Sequence, residues 1–285
     1  MTKEYDTFGP WIDEVRTTAD LPRLYRDAGL DPAAFELVLK VPRNIERRNA
    51  TPGMHLYDAL IALDVETLTV LHRRDDTFDA VRVPLDRIVA IEESVQLLDG
   101  RLTVHTTDGG ALVVNFNGSA KEPIRNLVQL VRQRYLPAFA PEPAEPIGPE
   151  PRMGPVDAGL LNDYRRMVAR EPRFRLLNSS ARQRVVAAAW QERLYRRTWP
   201  LHLQASIVGT DDREIVIVHR RNWFTRHGDE VSMARTFLPR ARINALSVWR
   251  HEHFQGVHEI VAQAGDTVLR FPVAAGPVTE ALLAG

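Results

Sequence analysis

Apolar residues in this chain fall in short β-rich runs flanked by turn residues. Leu56 to Leu63 and Thr67 to Arg74 are rich in Leu, Ile, Val and Thr and flank Asp64-Val65-Glu66, the pattern of a β-hairpin. Leu203 to Val208 and Glu214 to Arg221 repeat it around Gly209-Thr210-Asp211-Asp212. The stretches MHLYDALIALDVETLTVLHRR, from Met54, and LHLQASIVGTDDREIVIVHRR, from Leu201, align over 21 residues without a gap. His55, Leu56, Asp64, His72, Arg73 and Arg74 recur as His202, Leu203, Asp211, His219, Arg220 and Arg221, and most other pairs exchange one apolar residue for another. The chain is read as two copies of one unit.

The correspondence extends in both directions. VPLDRIVAI (Val83 to Ile91) aligns with LPRARINAL (Leu238 to Leu246), after a connection longer in the second copy. Upstream, Tyr25-Arg26, Phe35 and Leu37 align with Tyr164-Arg165, Phe174 and Leu176. Two hairpins follow in each copy. Their expected turns are Leu98-Asp99-Gly100-Arg101 and Thr107-Asp108-Gly109-Gly110 in the first, Phe254-Gln255-Gly256-Val257 and Ala264-Gly265-Asp266 in the second; Asp-Gly is the strongest signal. The first copy then reads as seven strands: Glu36–Val41, His55–Leu63, Thr67–Arg74, Val81–Pro84, Ile88–Leu98, Arg101–Thr107 and Ala111–Phe116. Beyond Ser119, a candidate N-cap, Ile124, Leu127, Val128, Leu130 and Val131 fall at helical spacing. Pro277 to Leu283 reads as a stub of that helix, and Ser180 to Thr198 as an inserted helix of the second copy.

Between the copies, Pro137 to Pro155 holds seven of the chain's 19 prolines. Proline fixes φ and removes donors, so the segment reads as an extended linker. The expected layout is residues 1–136 as one domain with an N-terminal extension, 137–155 as linker, and 156–285 as the second domain with an added helix.

Composition narrows the function. The 285 residues hold 37 basic and 37 acidic side chains, so no net field draws the chain to nucleic acid. Cysteine is absent, which excludes disulfides, thiolate metal sites and thiol nucleophiles. No apolar run approaches the roughly 18 residues of a membrane span, and the start MTKEYDTFGPW lacks the pattern of a signal peptide; a cytoplasmic location is the expectation. No GxSxG, Walker loop, HExxH or dinucleotide fingerprint occurs. Neighbouring acids such as Glu92-Glu93 or Asp211-Asp212 point apart on strands and turns, and form no acid/base pair.

The strand order, the pattern VPLDRIVAIEESVQLLDGRLTVHTTDGG and the terminal helix resemble the bacterial pleckstrin-homology-like family. The resemblance covers most of residues 36–136 and, more loosely, 200–284. It implies a mainly β (α+β) chain of two tandem bent antiparallel barrels or sandwiches, each capped by a helix, short in the second. It also implies a binding module without cofactor or catalysis.

Four groups are candidates for contact. In the loop KVPRNIERRNATPG, Lys40, Arg43, Arg47 and Arg48 are joined by Arg73 and Arg74 from the next hairpin. In the resembled fold this loop can hold phosphorylated headgroups, and arginine forks fit phosphate oxygens. Glu46 interrupts the cluster, and the spacing departs from the lipid-binding motif. The alternative is a solvated surface of arginines paired with acids. In HEHFQGVH, a turn at Gln255-Gly256 would set His253 opposite His258 with His251 on the same face, a candidate divalent-metal site; the aligned residues Val95, Leu97 and Leu102 are apolar, so a covered interdomain face is the alternative. The repeated His55/His202 and His-Arg-Arg positions read as strand-end packing. Trp223-Phe224, in a long loop, are candidate contact anchors, or pack back on Trp190 or Trp199; Phe8-Gly9-Pro10-Trp11 is expected to tie the terminus into a core groove. The leading expectation is a non-catalytic scaffolding protein that contacts a protein partner or itself. The runner-up is a peripheral module on an anionic membrane surface, and a metal-dependent enzyme at the histidines comes third.

Overall fold

The computed structural model describes residues 3–138, 150–171, 173–188, 200–226 and 231–276. The chain is mainly β, its sheets antiparallel and none closed into a barrel among the described residues. The longer strands of the first repeat are β1 (Leu37–Pro42), β2 (Tyr57–Leu63), β3 (Thr67–Arg74), β4 (Thr77–Pro84), β5 (Ile88–Gln96), β6 (Asp99–Thr106) and β7 (Ala111–Asn117), followed by helix α1 (Lys121–Tyr135). After helix α2 (Ala158–Arg170) come β8 (Arg175–Ser180), β9 (Ser206–Thr210), β10 (Glu214–His219), β11 (Ser232–Pro239), β12 (Ala245–Arg250), β13 (Val257–Ala264) and β14 (Thr267–Ala274). The seven strands anticipated for the first repeat are β1 to β7.

The two aligned hairpins share a register. Ala59 faces His72 across β2 and β3, and Ser206, its aligned residue, faces His219 across β9 and β10. Every step down to Leu63–Leu68 and Thr210–Ile215 keeps that correspondence. Both turns are built by the aligned aspartate. Asp64 Oδ1 accepts from the amides of Glu66 (2.8 Å) and Thr67 (2.7 Å), and Asp211 Oδ1 from those of Arg213 and Glu214 (both 3.0 Å). An Asx turn of this kind needs a short side chain with acceptor lone pairs, which aspartate supplies at both aligned positions. The next corner matches too. Leu85 donates to the Glu66 carbonyl at 2.7 Å, and Arg240 to that of Arg213 at 2.8 Å, each opening a 3-10 turn.

Two compact units are present. The first comprises Met1–Ile88, Leu97–Thr106 and Ala111–Leu136. Its sheet runs in the order Asp13–Glu14, β1, β2, β3, β4, and β6 and β7 form a hairpin. Phe8, Tyr25, Val38, Leu56, Leu60 and Leu71 share one apolar cluster. Phe8 thus ties the N-terminal segment into the core as expected, while Trp11 stays exposed. Helix α1 buries Ile124, Leu127, Val128 and Val131, the stripe read from their spacing. Its lead-in is a 3-10 turn capped by Asn117, whose side chain accepts from the Ser119 amide at 3.0 Å; Ser119 is not the N-cap. Pro123 sits in the first helical turn, where its missing N–H leaves no intrahelical bond unmade.

The second unit comprises Val89–Gln96, Thr107–Gly110 and Pro137–Gly285. Its main sheet runs β5, β11, β10, β9, β8, and β12, β13 and β14 form a second. Ile217 and Leu238 of the first sheet join Ile260 and Phe271 of the second in one apolar cluster, as in a sandwich. A strand of the first repeat, β5, is therefore part of this sheet, with Ile91 to Gln96 facing Phe237 to Ser232.

Two local expectations are corrected. The first hairpin turn falls on Leu97-Leu98 and not on Asp99-Gly100, which lie inside β6. Leu97 takes φ 54°. Gly100 is needed as a flat spot: a Cβ there would lie 2.4 Å from the Phe116 ring. The inserted helix is not formed over its described part. Gln183–Arg184 pairs with His202–Leu203, and Val186–Ala187 with Phe254–Gln255, so strand pairing with residues distant in the chain replaces the helix that the spacing suggested. Its remainder, Trp190 and Trp199, most of the linker and the C-terminal stub from Pro277 lie outside the described residues. The sequence offered no helix at 158–170; there the aligned Tyr164, like Tyr25, is buried.

Candidate functional site

The basic loop joins β1 to β2 and contains a 3-10 turn over Arg47–Asn49. Its cations find acceptors within the first unit. Lys40 lies 3.8 Å from Asp13 and over the Tyr57 ring. Arg43 and Arg73 converge on Asp58, at 3.8 and 2.9 Å, and Arg43 also donates to the His55 carbonyl. Arg47 donates to the carbonyls of Phe8 and Asp6 and covers the Tyr5 ring. From outside the loop, Arg23 donates to the carbonyls of Gly53 and Met54 while its amide donates to Glu4. The loop is thus a receptor for the chain's own residues 4–13. Arg48, beside Glu46, and Arg74, beside Asp79 at 2.6 Å, remain largely exposed. Tyr57, beneath this segment, has its phenol pushed up to about 12 by burial, with Asp13 and Glu4 adding to it. Two clefts of this unit have volumes of ≈ 400 and ≈ 290 Å³; the smaller is lined by Glu4, Asp13, Arg26, Lys40 and Tyr57.

The repeated His-Arg-Arg does different work in each copy. In the first, His72 is half-buried, and burial holds its imidazole below the usual range, with Arg74 adding to the effect. In the second unit His219 is fully enclosed. Its Nδ1 lies 2.7 Å from the Arg220 carbonyl, which only accepts, so Nδ1 carries the proton. Nε2 then accepts from the Thr236 hydroxyl at 3.0 Å. The ring stacks on Trp223 at 4.4 Å, and desolvation pushes its pKa down. Arg220 donates to the Ser232 and Val156 carbonyls and to Asp157 at 3.2 Å, tying β10 to the start of α2. Arg235 on β11 bridges Asp163 of α2 and Glu93 of β5. Sequence reasoning gave Asp157, Asp163 and Arg235 no role. Their partners are distant in the chain, and no local pattern marks a buried ion pair.

Trp223 and Phe224 pack inward and do not project. Trp223 meets Phe271 edge-on at 6.2 Å, and Phe224 packs against His251 and Phe254. The histidine turn also differs from its expected geometry. His258 faces Arg250, not His253, because Phe254 and Gln255 leave the hairpin to pair with Ala187 and Val186. His251 Nδ1 accepts from the His253 amide at 3.1 Å, and its ring rests on Phe254. Burial lowers the His251 pKa; Glu259 acts against this. Among the described residues, the side chains that converge at ligand spacing are Glu171, Asp211 and Glu214, none of them histidine. Asp211 is held there by Arg213, at 2.7 Å.

No family model, curated protein or solved structure matches this chain. Among the described residues, no helix is long and apolar enough to cross a membrane.

Proposed function

We propose that this chain is a non-catalytic binding and scaffolding protein built from two pleckstrin-homology-like repeats, with a protein as its partner. The observation that carries the reading is the shared register of the two hairpins, His72 opposite Ala59 and His219 opposite Ser206. What the copies keep is a frame: an Asx turn, a corner and a strand order. The arginine that recurs is taken up by a different internal partner in each copy, Arg73 by Asp58 and Arg220 by Asp157. Repeats retained for their frame serve to present loops and strand edges. The anionic-headgroup reading is weaker for the same reason, since Lys40, Arg43 and Arg47 are already engaged within the chain.

The test uses the purified full chain in three arms. Co-purification from the native host followed by titration of the recovered protein should give saturable binding. Pelleting with phosphatidylglycerol vesicles, lost on Arg48→Glu/Arg74→Glu, would move the reading to a headgroup module. Stoichiometric zinc that survives dialysis would move it to a metal protein.

A further inference from the structure

The duplication leaves one junction made once where the sequence provides for it twice. Inside the second unit, β11 pairs with β5, with Phe237 facing Ile91, Arg235 facing Glu93 and Ser232 facing Gln96. By the alignment through Val83/Leu238 and Ile91/Leu246, β4 is the counterpart of β11, and β12 is the counterpart of β5. Among the described residues, β4 pairs on one side only, with β3, and β12 on one side only, with β13.

We propose that β4 of one chain and β12 of a second copy of this chain pair in the register of β11 and β5. That register sets Arg82 opposite Leu246, Val81 opposite Ser247, Ala80 opposite Val248, Asp79 opposite Trp249 and Phe78 opposite Arg250.

Three observations carry this. The first is exposure at matching positions. Trp249 is 62% exposed where its counterpart Ser94 is 2%, and Val81 is 39% exposed where Thr236 is 1%. Large apolar side chains exposed on a free strand edge mark a contact surface. The second is the backbone. Leu85 donates to the Glu66 carbonyl, so Thr67 and Pro84 form a non-hydrogen-bonded pair. Alternation then turns the amides of Phe78, Ala80 and Arg82 away from β3. On β12, His251 donates to the Val257 carbonyl, which makes Arg250 and His258 a non-bonded pair and turns the amides of Leu246, Val248 and Arg250 away from β13. The outward sets, Phe78, Ala80 and Arg82 against Arg250, Val248 and Leu246, are the partners that the copied register brings together. A register shifted by one residue would leave both sets unbonded.

The third observation is the chemistry of the facing pairs. Where Arg235 meets Glu93 in the intrachain junction, the free edges offer Ala80 and Val248, two apolar side chains. Arg250 comes opposite the ring of Phe78, a cation–π arrangement. Asp79 is neutralised by Arg74 at 2.6 Å and leaves no bare charge against Trp249. Each chain carries each edge once, so copies join through unlike surfaces, the heterologous case that closes into a ring or extends. The inference deepens the scaffolding reading, on which it rests, by making the partner a second copy.

The experiment is sedimentation velocity of the full chain over a rising concentration series. The wild type should shift from one chain to two or more. Ala80→Pro removes an outward donor without touching the β3 ladder, and Val248→Pro does the same on β12; each alone should lose the shift. Their equimolar mixture should recover a complex of two chains, because each variant keeps the edge that the other lacks. Should either proline variant melt below the wild type, charge pairs at the facing positions 81 and 247 replace it: Val81→Asp/Ser247→Asp loses association and Val81→Lys/Ser247→Asp keeps it. A wild type that stays a single chain throughout overturns the junction while leaving a heterologous protein partner open. Association that survives both proline variants overturns it too, by placing self-contact elsewhere.

Discussion

Arg235, in the second repeat, lies 3.0 Å from Glu93, in the first, and the two are also register partners across β11 and β5. On its other side Arg235 meets Asp163, which is fully buried and also 3.3 Å from Arg166. Removing one member of such a set leaves an uncompensated charge in a poorly solvated place. Asp163→Ala is expected to destabilise the chain by about 3 kcal/mol, read by urea denaturation. An unchanged midpoint would mean that Glu93 alone satisfies Arg235.

The same pairing bears on any cut between the repeats. Residues 1–138 carry β5 away from β11, whose edge would then present a row of unmatched backbone groups. Expressed alone, residues 150–285 should aggregate or bind a hydrophobic dye, and co-expression with 1–138 should recover a stable complex. A fragment 150–285 that is monomeric and melts with the full chain would contradict this.

How far this was legible in the sequence differs from element to element. The hairpins, the corner at Leu85 and Arg240, and the stripe Ile124–Leu127–Val128–Val131 are local patterns, and period and turn chemistry suffice to read them. The Leu97-Leu98 turn was not legible, because the reason Gly100 sits in a strand is the Phe116 ring, sixteen positions away. The inserted segment misled in the same way: Val186 and Ala187 find a strand partner in Gln255 and Phe254, far along the chain. For the basic loop the residues were identified, but not what they hold. That the acceptors of Arg47 are backbone carbonyls of Asp6 and Phe8 leaves no trace in side-chain identity.

Helix α1 gives a direct test of its docking. Leu127 is 1% exposed, on the face that also carries Ile124 and Val131. Leu127→Asp would bury a carboxylate without a partner, at a cost of several kcal/mol, roughly 3 or more. The melting temperature should fall steeply, and Gln129→Asp, on the exposed side of the helix, should leave it nearly unchanged.

Gly209 occupies the position of Ala62 in the first repeat, yet it does not tolerate the exchange. A Cβ there would lie 2.2 Å from the Phe174 ring and 2.8 Å from the Arg175 carbonyl. Overpacking of this kind costs about 1–3 kcal/mol, so Gly209→Ala should lower the denaturation midpoint. Phe174→Leu/Gly209→Ala should lose less than the sum of the two single changes, because the shorter side chain relieves the clash. Strict additivity would place the strain in the backbone contact with Arg175.

The acid limb of stability should report His219. Desolvation depresses its pKa in the folded chain, with Glu92 and the Arg220 carbonyl opposing, and burial likewise lowers His72, His202 and His251. The unfolded value is near 6.5. Below it the unfolded chain binds protons that the folded chain refuses, so ΔG of unfolding is fully present above about 6.5 and declines as pH falls toward the folded values. The salt-bridged carboxylates add their own loss at lower pH, which separates the two windows. In His219→Asn the amide can donate to the Arg220 carbonyl in place of Nδ1–H, while the titrating group and the stack on Trp223 are gone. Its stability at neutral pH should be lower than that of the wild type and its slope between about pH 6.5 and 5 shallower. Parallel slopes for the two proteins, or an NMR titration of His219 at or above the unfolded value, would show that burial does not depress this imidazole in the native state.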